Sequence, residues 1–194
     1  MTDKTCAWAN RSDEERLYHD TEWGRPEHDE RRLFEFLVLE SMQAGLTWTM
    51  VLKRREAMRE AFDQFDVDAL AQYDAAKEAE LLENPKIIRH RLKIASLRKN
   101  AVAFKNVQAE FGSFDAYIWG FTEGKTIHGH WANQSDVPAK TELAETISKD
   151  LKKRGFTFVG PTIVYSFLQA IGILNDHIVT CPVYKELVGE ENNK

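Results

Sequence analysis

The chain of 194 residues carries 26 Lys and Arg against 31 Asp and Glu, a net charge of −5 near pH 7, and 43% of its residues are hydrophobic. This length supports a sizeable core, and the composition is typical of a soluble globular protein. The polar opening MTDKTCAWANRSDEERLYHD lacks the apolar segment of a signal peptide, and the run VGPTIVYSFLQAIGILN is short and too interrupted for a bilayer span. We therefore expect one cytoplasmic domain over residues 1–194, with no membrane partner.

Helical periodicity dominates the chain, and nothing alternates with a period of two for long enough to indicate a sheet. Capping residues, glycines and prolines delimit the helical segments. In chain order these are HDERRLFEFLVLESMQAG capped by Asp29, WTMVLKRREAMREAF capped by Thr47, AAKEAELLEN capped by Asp74, KIIRHRLKIASLRKNAVAFKNVQAEFG between Pro85 and Gly112, FDAYIWGF capped by Ser113, KTELAETISKDLKKRG closed by Gly155, and PTIVYSFLQAIGIL begun by Pro161. Residues 122–138 are predicted to form a loop. We predict an all-α fold.

The two cysteines of the chain, Cys6 and Cys181, each have a histidine within reach in the sequence, His19 and His177. On a helix, His177 and Cys181 would share a face and could hold one metal ion. Four protein ligands leave no open position, so the hypothesis is a structural Cys2His2 zinc site that joins the two ends of the chain. The alternatives are a long-range disulfide, which a reducing cytosol disfavours, and a buried thiol beside a surface histidine. The histidine pair in TIHGHWANQS is a weaker metal candidate.

The segment from Asn84 to Ala109 contains seven basic residues and no Asp or Glu. Most protein surfaces mix both signs of charge, so this segment predicts a phosphate-binding face on an otherwise acidic protein. A solvated helix surface is the equally weighted alternative.

Glu40 lies in FEFLVLESMQ on the same helical face as Leu33 and Leu37. A carboxylate on an apolar stripe costs free energy unless it is paired, which leaves two interpretations open: a pocket acid that binds a substrate, or a structural Glu held by a Tyr or Arg. Four aromatic residues flank the same region and could form core or an aromatic cage for a flat, electron-poor ring: Trp8, Tyr18, Trp23 and Trp48.

Four strings, YHDTEWGRP, LESMQAGLTW, KIIRHRLKI followed by KNA, and KKRGFTFVGPTIVYSFLQAIGILNDH followed by Cys181, occur in the order of the bacterial DNA-3-methyladenine glycosylase I family. The chain resembles this family over nearly its whole length. The resemblance implies a helix-hairpin-helix-type all-α fold, with the hairpin at about 83–94, and a monomer that flips N3-methyladenine out of alkylated double-stranded DNA and hydrolyses its glycosidic bond.

The resemblance also implies roles for individual residues. Glu40 is the expected catalytic residue and binds the base together with Tyr18, Trp23 and Trp48. The expected DNA contacts are Gln43, Gly45 and Leu46 of the loop QAGL, which fills the gap left by the flipped nucleotide, and the hairpin cations Lys86, Arg89, Arg91 and Lys93. One structural zinc ion is expected on Cys6, His19, His177 and Cys181, and no organic cofactor.

Backbone-cutting relatives of this fold carry a lysine after the hairpin and a downstream aspartate. Here the lysine position falls on or beside His90, and no carboxylate follows until Glu110, which implies a monofunctional enzyme that leaves an abasic site.

Two residues depart from the family pattern: Glu15 stands where a second tyrosine is expected, and Lys86 where a hairpin glycine is common. The alternatives are a catalytically impaired, zinc-stabilised module that binds damaged or abasic DNA, and a metalloenzyme that uses His177 and Cys181.

Overall fold

The computed structural model describes residues 4–191, with side chains up to residue 189, and regular structure in this part of the chain is almost entirely helical. The α-helices are α1 (Asp13–Thr21), α2 (Glu30–Gln43), α3 (Trp48–Lys53), α4 (Arg55–Ala61), α5 (Val67–Ala71), α6 (Ala75–Glu83), α7 (Arg91–Phe111), α8 (Phe114–Gly120), α9 (Glu142–Lys153), α10 (Pro161–Ala170) and α11 (Pro182–Glu191). Short 3-10 turns lie at Ala7–Asn10, Asp63–Phe65 and Gln134–Asp136. The strands β1 (Ile127–His128) and β2 (Leu174–Asn175) pair in parallel.

The predicted helix caps are confirmed. The side chains of Asp29, Thr47, Asp74 and Ser113 each accept a hydrogen bond from the backbone N–H three residues further on. These bonds satisfy amide groups that have no partner inside the helix, which explains why the helices begin at these positions. Pro161 is the first residue of α10, as predicted.

Two of the predicted helices are interrupted. The segment that begins at Trp48 ends at Lys53 and restarts at Arg55. Residues 86–90 are not helical, so α7 begins only at Arg91. Burial accompanies both breaks: Arg55 is buried with its guanidinium in ion pairs, and Ile87 and Ile88 enter the core. Before these isoleucines, the Asn84 side chain accepts a hydrogen bond from Lys86 N, which favours a turn over a helix.

The region after α10 corrects three further predictions. The helix ends at Ala170 rather than Leu174, because Gly172 adopts a φ of 74° against the backbone of Arg25, where any Cβ would collide. The chain then forms β2. The segment 122–138, predicted to be a loop, contains the strand β1, which pairs with β2. His177 and Cys181 lie in a turn before α11, not on a helix.

Helix α2 is the centre of the core, since every residue from Leu33 to Met42 is buried. A helix that is buried on all sides must be surrounded by other elements, and α3, α7, α8 and α10 pack against it. Aromatic contacts connect these layers: the rings of Phe34 and Phe104 lie 5.1 Å apart, and Phe104 stacks on Phe114. Glu40 is therefore carried by a helix that other elements surround. In the part of the chain that is described, no helix combines the length and apolarity needed to cross a membrane.

Candidate active site

A cavity of about 340 Å³ opens beside Glu40. The 3-10 turn at Ala7–Asn10, α1, α2, α3 and α10 contribute to its wall, together with the loop before α9. All four residues predicted to bind a base line it: Tyr18, Trp23, Glu40 and Trp48. The structure thus brings the four predicted residues together in one cavity. The size of this cavity suits a small-molecule ligand.

Glu40 has no compensating partner in the part of the chain that the structure describes. Its side chain is buried, and among residues 4–191 no hydrogen-bond donor or cation pairs with its carboxyl group. Burial accordingly raises its pKa from 4.5 to about 8. The structural interpretation, in which a Tyr or Arg holds this residue, is therefore wrong for the described chain. An acid left unpaired at the edge of a cavity is poised for a ligand that donates hydrogen bonds or carries positive charge.

Aromatic rings form the walls around this acid. Tyr18 and Trp48 lie 5.2 Å apart, and Trp8 packs edge-on against Trp23 at 5.0 Å. The Tyr18 hydroxyl and the Trp48 Nε1 are buried without a partner among the described residues. Burial and the nearby Glu40 charge raise the pKa of Tyr18 well above its usual value, so its hydroxyl remains a donor. The cavity therefore offers π faces, two unused donors and a carboxyl group.

The wall contributed by α10 was missed at the sequence level. Polar residues at i, i+3, i+4 and i+7 line the cavity from an otherwise apolar helix: Thr162, Tyr165, Ser166 and Gln169. This spacing marks one helical face, so the pattern was a readable signal. The loop residues Gln134 and Val137 also line the cavity, and no local pattern predicts that position.

Glu15, where the family pattern suggested a tyrosine, also lines the cavity. It is 1% exposed, its Oε1 accepts a hydrogen bond of 2.6 Å from Thr49 Oγ1, and its Oε2 has no partner among the described residues. At this position a carboxyl group therefore takes the place of the expected tyrosine ring. One of its oxygens is bonded to Thr49 of α3, and the other is left as an acceptor in the cavity.

A groove of about 560 Å³ separates the QAGL loop from the segment between α6 and α7. Gly45 and Leu46 line this groove, whereas Gln43 lines the cavity beside Glu40. The four-residue loop therefore stands between the two spaces. Across the groove, Arg89 and His90 are exposed, and the α7 N-terminus has no side-chain cap and no acidic residue in its first turn. Free amides and cations at a helix N-terminus attract anions.

The hairpin cations are not equivalent. Lys86, Arg89 and Arg91 are exposed and form no ion pair with the described residues. Lys93 differs from the expected surface cation: it is 5% exposed, and its Nζ donates to the carbonyls of Met42 at 2.8 Å and Ala44 at 2.6 Å. Lys93 therefore ties the end of α2 to α7 and fixes the QAGL loop beside the groove.

A second cluster brings the two ends of the described chain together. Cys6, His19, His177 and Cys181 are all buried, and their potential ligand atoms lie within 4.8 Å of one another. This set could hold a metal ion, as the sequence predicted. The histidines at 128 and 130 instead contact Asn175 and Tyr184 and join no such cluster among residues 4–191.

Hydrogen bonds outside the cluster fix both imidazole rings. His19 Nδ1 lies 2.7 Å from the Asp20 carboxylate, and His177 Nε2 lies 2.9 Å from the Trp23 carbonyl oxygen. Because both outer partners accept, the outer nitrogens carry the protons, and the inner nitrogens face each other at 3.0 Å with lone pairs. Two lone pairs cannot bond to each other, but they can share a cation.

Three comparisons agree with this geometry. The family model described as methyladenine glycosylase matches residues 8–185. A DNA-3-methyladenine glycosylase from Haemophilus influenzae is 42% identical over 177 residues, which cover 91% of this chain and 96% of the relative. A crystal structure of 3-methyladenine DNA glycosylase I is 43% identical, with a TM-score of 0.89, and the match covers 92% of this chain and 98% of that one. Another neighbour, at 36% identity and a TM-score of 0.89, covers 91% of this chain and 95% of its own and is a tyrosine-to-phenylalanine variant in complex with 3-methyladenine. The chain belongs to the methyladenine glycosylase family.

Proposed function

We propose that this protein is a DNA-3-methyladenine glycosylase of base-excision repair. It flips an N3-methylated adenine out of duplex DNA, hydrolyses the N-glycosidic bond and leaves an abasic site. The observation that carries this proposal is the unpaired, buried Glu40 in an aromatic cavity that adjoins a cation-lined groove. Family membership supports it, since the compared relatives act on or bind 3-methyladenine by their descriptions.

The lesion supplies what this cavity needs. N3-methylation gives adenine a positive charge, and the electron-rich faces of Tyr18, Trp23 and Trp48 attract a desolvated cation by about 1 kcal/mol or more each. Entry of the cation favours the ionised form of Glu40, which then accepts a charge-assisted hydrogen bond from the amino edge of the base. Unmodified adenine lacks the charge and gains neither interaction. This difference is the proposed source of specificity.

The same charge explains why little catalytic machinery is needed. The methylated base departs as a neutral molecule, so its glycosidic bond is weak before the enzyme acts. Catalysis then requires extrusion and recognition of the base, stabilisation of an oxocarbenium-like sugar by the adjacent phosphates, and a water molecule that attacks this sugar to leave the abasic site. Glu40 is the proposed catalytic residue because it is the carboxyl group that the cavity leaves free of partners among the described residues.

The groove is the proposed DNA interface. The exposed cations Lys86, Arg89 and Arg91 and the uncapped amides of α7 would hold phosphates, as a helix-hairpin-helix element does. The QAGL loop, between groove and cavity, would occupy the space of the extruded nucleotide. His90 precedes the first residue of α7, where a lysine would be expected in a backbone-cutting enzyme, and Glu110 pairs with Arg154 at the far end of the helix, which supports a monofunctional reaction.

We propose that the buried cluster binds one structural zinc ion. A tetrahedral zinc ion with Zn–S of about 2.3 Å and Zn–N of about 2.0 Å places its ligand atoms about 3.3–3.8 Å apart. One nitrogen–nitrogen separation is 3.0 Å and three sulfur–nitrogen separations are 3.6–3.7 Å, and all four ligand atoms lie within 4.8 Å of one another, so a small adjustment of the side chains would bring them to this geometry. A hydrogen bond between the two thiols raises the pKa of Cys6 and lowers that of Cys181. Zinc there would crosslink the two chain ends and take no part in the reaction.

The decisive experiment is base release. Purified protein incubated with methylated duplex DNA should release 3-methyladenine without added cofactor and without strand nicking, and Glu40→Gln should remove most of the release. No free base at high enzyme concentration would reject the proposal. In that case, tight binding to abasic DNA would support the second candidate, an impaired binding module, which the presence of Glu15 in place of a tyrosine favours.

As part of the same proposal, the protein acts as a cytoplasmic monomer with one catalytic domain.

A further inference from the structure

We propose that Gln134 contacts the flipped base. Asp176 positions Gln134, because it holds the loop on which Gln134 lies. This inference rests on the proposed function. Gln134 begins the 3-10 turn at Gln134–Asp136 and lines the cavity beside Glu40. Its Oε1 is buried and has no hydrogen-bond partner among the described residues.

A buried amide oxygen without a donor is costly, so its position needs an explanation. Glu40 and the free Oε2 of Glu15 are acidic acceptors that line the cavity, and the exocyclic amino group of an alkylated adenine carries two N–H donors that point to different sides. The amide oxygen of Gln134 can receive the N–H that Glu40 does not. The chemistry of Gln134 matches the ligand class, and the neutral amide does so without adding another charge beside Glu40.

The loop that carries Gln134 is fastened to the segment after α10. Gly129 N donates to the Asn175 carbonyl at 3.0 Å, Val179 N donates to the Trp131 carbonyl at 2.9 Å, and β1 pairs with β2. The side chain of Trp131 adds a bond of 2.6 Å from its Nε1 to Asp176 Oδ1. Trp131 does not line the cavity, so this bond serves the loop and not the ligand.

Asp176 joins this loop to the opposite element of the wall. Its Oδ2 accepts hydrogen bonds from Tyr165 Oη and from Gln169 Nε2, the latter at 2.8 Å, and both residues line the cavity from α10. Asp176 itself is 3% exposed. One buried carboxylate with three donors thus sets the distance between the α10 face and the Gln134 loop. A Cβ on residue 129 would lie 2.4 Å from Asp176 Oδ1, so the glycine leaves room for this arrangement.

Three variants test the two halves of the inference. Gln134→Leu removes the amide at nearly constant size, Gln134→Glu keeps an acceptor, and Trp131→Phe removes the donor to Asp176 while an aromatic ring remains. Ser135→Ala, at an exposed neighbouring position in the same turn, is the matched control. Each protein is titrated with free 3-methyladenine by calorimetry, assayed for base release, and followed by hydrogen exchange over residues 129–139.

Gln134→Leu should weaken binding of the base about tenfold, with Gln134→Glu closer to wild type. Trp131→Phe should speed amide exchange over 129–139 and raise KM more than it lowers kcat, with little change in Tm. Wild-type affinity in Gln134→Leu overturns the contact, and wild-type exchange in Trp131→Phe overturns the positioning role. A wild-type protein that releases no base rejects the proposed function instead, while binding and exchange still decide this inference. A wild-type protein that neither releases nor binds the base rejects both.

Discussion

Glu40→Gln is expected to make the folded protein more stable at alkaline pH while it removes activity. Burial holds the folded-state pKa at about 8, whereas the ordinary value is 4.5. Between these two pH values the folded protein keeps a proton that the unfolded chain has lost. Wild-type stability therefore falls as pH rises through this window, by about 1.4 kcal/mol per pH unit. Over a window of about 3.5 pH units the loss is about 5 kcal/mol, because Glu40 is fully buried and solvent screens it little.

An amide does not titrate, so the variant avoids this loss. The difference in free energy of unfolding between Glu40→Gln and wild type should be constant below about pH 4.5, increase up to about pH 8, and be constant again above it. Urea unfolding followed by tryptophan fluorescence, repeated from about pH 4 to about pH 9, measures this difference directly. Glu60→Gln, at an exposed position of α4, is the control and should follow wild type. Parallel stability profiles for Glu40→Gln and wild type would refute the claim that the cavity holds an unpaired acid.

Further outcomes are expected at the other sites. Removal of the metal by a strong chelator should cost about 5 kcal/mol, similar to a long-range crosslink, and lower Tm by about 10–20 °C; an unchanged Tm in a protein shown to have contained zinc would contradict a structural role. Lys93→Met should lower stability by about 2–3 kcal/mol and weaken abasic-DNA binding, since the carbonyls of Met42 and Ala44 lose a charged donor; thermal unfolding and DNA titration check this. Arg89→Ala should reduce the slope of log K against log salt by about 1 in the same titration, and an unchanged slope would remove Arg89 from the interface. Glu15→Gln should lower kcat/KM on methylated DNA about fivefold if Oε2 faces the base, whereas wild-type kinetics would assign Glu15 to the bond with Thr49 alone.

Local chemistry explains which parts of the fold were predictable. The caps at Asp29 and Ser113 act within one turn of the chain, so the sequence reveals them. The break at Arg54 depends instead on a partner far away: Arg55 is drawn into the interior by Glu22 and Glu35, at 2.8 Å and 2.6 Å. No sequence pattern within this helix predicts such an ion-pair network.

The candidate site divides in the same way. Glu40 could be identified from the sequence because a carboxylate on an apolar helix is anomalous by itself. Gln134 could not, because its loop reaches the cavity only through the bonds that Trp131 and Asn175 make across a long separation in the chain. Lys93 has the charge of a DNA contact, and only the positions of two carbonyl groups assign it to the interior.

The buried cluster has a consequence for biosynthesis. Cys6 and His177 are neighbours in space but lie 171 positions apart in the sequence. The segment with Cys6, Trp8 and His19 therefore obtains its final contacts only after the residues around Cys181 have been synthesised and folded. The indole of Trp8 borders both the cavity and His19, so this wall of the cavity takes its final shape only at that stage.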